Sequence, residues 1–186
     1  STSTDKTEKT VSAVLIRKIL EVKDDQIYSP HWKALDENSK GIMKKLSLEA
    51  LIKEEDRSLI GKINECVIQI AMNAFNEASS DVIGEVWPDV INYSVHLIST
   101  LEVNQSNYIK IESGLRLFEG IFGFIYEILL KTVKLQQILE RMSVFMKCDN
   151  LQIASKSVKT ISEMSFYASK KEIKAYKDII FPILEV

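Results

Sequence analysis

Apolar residues recur along this chain at intervals of three and four, the spacing of one helix face, and not at the two-residue interval of a half-buried strand. The pattern predicts seven helices, an eighth near the end, and no strand. The first helix covers residues 6–22, with Val11, Val14, Leu15, Ile19 and Val22 on its apolar face. Asp5 is its expected N-cap, and Glu8 completes a capping-box pattern. Residues 24–32 break the periodicity, and Pro30 reads as a stop because it lacks an N–H. The second helix spans 36–54, with Ile42, Met43, Leu46, Ala50 and Leu51 on one face. The third, 57–77, sets Ile60, Ile63, Val67, Ile70 and Ala74 against Lys62, Glu65, Gln69, Asn73 and Asn76, so one face is expected to be wet. Residues 78–86 read as a loop. Pro88, well placed at a first helical position, then opens the fourth helix, whose face holds Val90, Ile91, Leu97, Ile98 and Leu101. The fifth runs over 105–126 and can continue to 130, with Leu115, Phe118, Ile121, Phe122 and Ile125 as core. The sixth covers 133–146, the seventh 150–169, and the eighth starts near 172 and runs to 186.

These helices fall into antiparallel pairs joined by short links. One pair is too thin to bury its apolar faces alone, and stacking pairs solves that problem. A small residue followed by an apolar one recurs at Ala13-Val14, Cys66-Val67, Gly114-Leu115 and Ser157-Val158, with spacings of 53, 48 and 43 residues. These compare with the period of about 40–47 of HEAT and armadillo repeats, running slightly long because of the loops at 23–33 and 78–86. The expected fold is therefore all-α: an α-α superhelix, a HEAT/ARM-repeat solenoid. Residues 1–186 would form one array: the second half of one repeat, about three full repeats, and the first helix of a further one. Both ends read as cut through the repeat, and the polar start has neither an initiating Met nor the apolar run of a signal peptide.

Composition narrows the function. A net charge of −2 disfavours DNA or RNA as a direct partner and a membrane surface as a resting place. The most apolar stretch, 120–126, is too short to span a bilayer. Two Cys and two His, far apart in sequence, predict no zinc site and no disulfide staple. No Gly-rich phosphate loop and no nucleophile or metalloprotease motif is present, so neither cofactor nor catalysis is expected. Phe118, Phe122, Phe124 and Phe145 fit core packing first and a pocket for partner phenylalanines second.

The order of several short motifs adds a family resemblance. Val11–Leu20 (VSAVLIRKIL), then Trp32 and Leu35, then Gly41–Glu55 (GIMKKLSLEALIKEE), Leu59–Phe75 (LIGKINECVIQIAMNAF) and the Trp-Pro start of Trp87–Ile91 (WPDVI) resemble the N-terminal part of the importin-beta (karyopherin-beta) family of nuclear transport receptors. Within it they are most similar to the branch of importin five and importin four. The chain departs from that pattern in lacking a leading helix, in the length of 78–86, and in a Phe-rich fifth helix. The resemblance implies a protein-binding scaffold without enzymatic activity. It would shuttle between cytoplasm and nucleus through the nuclear pore complex, and its partners would be the GTPase Ran, cargo proteins and Phe-Gly nucleoporins. Inner helices would face Ran or cargo, which makes Lys62, Glu65, Gln69 and Asn73 on the third helix, Lys110, Glu112, Arg116 and Glu119 on the fifth, and Arg17 and Lys18 on the first the candidate contacts. The same side chains also suit a plain solvated helix face. Another HEAT scaffold, such as a phosphatase 2A scaffold subunit or an adaptin, is the alternative.

Overall fold

A computed structural model describes residues 3–23, 26–78, 82–131 and 134–167. Every regular element among them is a helix: α1 (Ser3–Ile19), α2 (Pro30–Lys33), α3 (Glu37–Lys53), α4 (Arg57–Glu77), α5 (Ile83–Val86), α6 (Pro88–Ser99), α7 (Tyr108–Leu130), α8 (Lys134–Met146) and α9 (Leu151–Tyr167). The all-helical expectation holds for the described residues. The helix expected from 172 onward lies outside them. The chain divides into two compact units, Ser1–Val90 and Ile91–Val186.

In the first unit α4 is the central helix, and α1 and α3 pack against it. Asp56 caps α4 by accepting from Leu59 N at 3.0 Å. The expected stripe of Ile60, Ile63, Val67, Ile70 and Ala74 is buried. α1 runs alongside α4 in the same direction: Lys6 meets Asp56 at 2.6 Å, Arg17 meets Glu65 at 3.2 Å, and Leu20 O is reached from Gln69 and Asn73. α3, capped by Asp36 through Ser39 N at 2.9 Å, runs antiparallel to α4, so that Lys40 near its start bonds Glu77 at the end of α4.

Local expectations are corrected at four places. α1 starts at Ser3, which puts Asp5 inside the first turn instead of at the N-cap. Pro30 opens the one-turn α2 and does not merely stop a helix; Ser29 caps it, and the missing proline N–H is one that a helix start leaves unpaired anyway. Residues 78–86 contain the one-turn α5. The fourth correction concerns burial. Ala13 of α1 and Leu20 just past it are buried, while Val11, Leu15 and Ile19 are about half exposed; α3 buries Leu48 and Leu51 and exposes Ile42 and Leu46. The apolar faces expected to be core on these two helices thus lie largely open.

In the second unit α9 packs against both α7 and α8, and α7 touches α8. α7 is apolar enough to be buried on most of its circumference: Leu115, Phe118, Ile121, Phe122 and Ile125 are all at or below 1% exposure, as expected. Ring contacts link Phe118 to Phe122 at 5.3 Å between centroids, and Phe122 to Tyr126 at 5.5 Å and to Tyr167 of α9 at 5.6 Å. Phe145 of α8 is fully buried. Of the four clustered phenylalanines, Phe118, Phe122 and Phe145 are therefore core, and Phe124 is half-buried.

Candidate interaction surface

The charged face of the first unit is built where α1 lies along α4. Leu20, just past α1, presents a backbone carbonyl with no helical partner, and α4 supplies donors to it. Gln69 Nε2 donates to Leu20 O at 3.0 Å, and Asn73 Nδ2 donates to Leu20 O at 2.8 Å and to Gln69 O at 2.8 Å. Asn73 Oδ1 accepts from Ser29 N at 2.6 Å, and Ser29 Oγ donates to Ile19 O at 3.0 Å. Asn73 is fully buried and joins both ends of the connection after α1 to α4. It belongs to the interior and not to the wet face expected of it. Its amide type, with two donors and an acceptor, satisfies backbone groups that an apolar residue would leave unpaired.

One turn toward the start of α4, Glu65 sits between Arg17 at 3.2 Å and Lys62 at 3.7 Å. These three are partly exposed and remain at the surface, while bonding one another. Lys18 is exposed and borders a cavity of about 670 Å³ with Lys23, Gln26, Ser29 and His31. So four of the six candidates in this unit form a surface patch, Gln69 is half-buried against Leu20, and Asn73 lies beneath them.

A second cluster in this unit was not singled out from sequence. Trp32 is 1% exposed and its Nε1 donates to Glu77 Oε2 at 2.7 Å. Lys40, 4% exposed, donates to Glu77 Oε1 at 2.7 Å and to Glu37 Oε1 at 2.9 Å, with its ammonium 5.6 Å from the Trp32 ring centroid. Burial pulls the Lys40 ammonium toward deprotonation, but the bonds to Glu77 and Glu37 outweigh it and leave its pKa above 10.5. Burial likewise pushes the Glu77 carboxyl up, and the Lys40 and Trp32 hydrogen bonds outweigh that, leaving it below 4.5. The cluster joins α2, α3 and α4. The only sequence signal was a lysine, Lys40, placed three residues after a helix-initial Glu37.

In the second unit Lys110 is exposed, and Glu112, Arg116 and Glu119 are half-buried along α7. The neighbouring helix α9 completes the patch. Lys159 bonds Glu119, and Lys156 is held below its ordinary pKa first by burial and then by the Arg116 charge, against the pull of Glu112 and Glu119. Lys156 and Lys159 are surface residues of this patch that sequence reasoning missed. The signal that could have found them is the small-residue register that aligns Ser157 with Gly114.

Among the described residues, no group of three or more His, Cys, Asp or Glu side chains is placed to hold a metal. Cys66 is buried, and burial pushes its thiol up to about 11, far from a reactive thiolate at neutral pH. His31 and His96 are both exposed. No helix among the described residues is long and apolar enough to cross a membrane. No protein family, curated protein or solved structure matches the chain.

Proposed function

We propose that the chain is part of a helical-repeat scaffold of the importin-beta type, an α-α superhelix that binds proteins and catalyses nothing. On this reading it contacts GTP-loaded Ran, cargo and Phe-Gly nucleoporins and moves between cytoplasm and nucleus through the pore. The supporting observation is local and occurs twice. In each unit a long helix packs along an earlier helix of the same direction, α4 on α1 and α9 on α7, and receives an antiparallel helix, α3 or α8, from the other side. That is the neighbour relation that a stack of helical hairpins repeats. The small residues Ala13, Cys66, Gly114 and Ser157 are all buried, as the repeat register requires of positions where helices approach closely.

The Ran-facing candidates narrow to side chains that reach solvent: Lys18, Arg17, Lys62 and Glu65 in the first unit, and Lys110, Glu112, Arg116 and Glu119 in the second. Mixed charge at partial exposure suits a protein surface more than a phosphate backbone. A pull-down from purified components with GTP-loaded Ran tests the assignment. Lys18→Glu and Lys110→Glu together are expected to weaken capture by about tenfold, as loss of interface charges does. Unchanged capture would remove both residues from the contact.

A further inference from the structure

We draw no further inference here: the strongest candidate, the apolar groove of about 830 Å³ between α1 and α3 in the first unit, has as its counterpart in the second unit a site filled by α6 of the same chain, and nothing in the structure shows what covers the groove.

Discussion

Lys40 keeps a charged ammonium with 4% of its surface exposed because Glu77 and Glu37 accept from it and the Trp32 ring lies 5.6 Å away. Removing one partner of such a pair leaves a buried charge without compensation, and that penalty exceeds the net worth of the pair itself. Glu77→Gln is therefore expected to lower stability by about 2 kcal/mol, below the range for fully buried pairs because Glu77 keeps some solvent contact. Urea titration followed by circular dichroism measures it. The pH dependence follows from the two directions of shift. Glu77 is lowered in the folded state, so its contribution is present above 4.5 and is lost as pH falls through the folded value. Lys40 is raised, so its contribution is full below 10.5 and is lost as pH rises through the folded value. Glu77→Gln should flatten the acid limb of the stability profile, and an unchanged acid limb would contradict the role given to Glu77. Asn73 makes three hydrogen bonds to backbone groups in full burial. Asn73→Ala should cost about 3 kcal/mol, from the lost bonds and the groups left unpaired. Lys18→Glu, at an exposed position, should stay within about 0.5 kcal/mol.

Glycines separate helix propensity from packing at the level of elements. A methyl at Gly114 would meet Leu97 Cβ at 2.6 Å, and a backbone-proximal atom cannot move away cheaply. Gly114→Ala gains about 1 kcal/mol of helix propensity. Overpacking costs about 1–3 kcal/mol, so the net effect expected is destabilising. At Gly123 the nearest atom is the Tyr167 hydroxyl, also at 2.6 Å, but it ends a flexible and half-exposed side chain. Gly123→Ala should be neutral or stabilising, and thermal melts of the two variants should move apart. Equal shifts, or the reversed order with Gly114→Ala the more stable of the two, would contradict the close α6–α7 approach. Periodicity alone located every long helix among the described residues, and it read the faces of α4 and α7 well because those helices are surrounded by neighbours. It misread α1 and α3 because an apolar stripe reports that a face is fitted for burial, not which partner buries it. The one-turn helices α2 and α5 were missed since four residues hold no period to detect. Asn73 was misread because polarity marks a need for hydrogen bonds, and backbone at the end of α1 meets that need as water would.

The same neighbour relation in both halves of the chain links the element scale to the whole. It matches what repeat stacking asks of each hairpin, and the motif order from Val11–Leu20 to Trp87–Ile91 supplies the transport reading. Which charged residues could meet a partner was legible as types and spacings along single helices. The contribution of a second helix, such as Lys156 and Lys159 of α9 beside Arg116 and Glu119 of α7, needed three dimensions. Membership of the importin-beta type requires a nucleotide-dependent partner. Isothermal titration of the chain with Ran, loaded first with a non-hydrolysable GTP analogue and then with GDP, measures this directly. Saturable binding to the GTP form is expected, weakened at least about tenfold for the GDP form, the scale of a typical coupling free energy. Equal affinity for the two forms, or no binding to either, would contradict it.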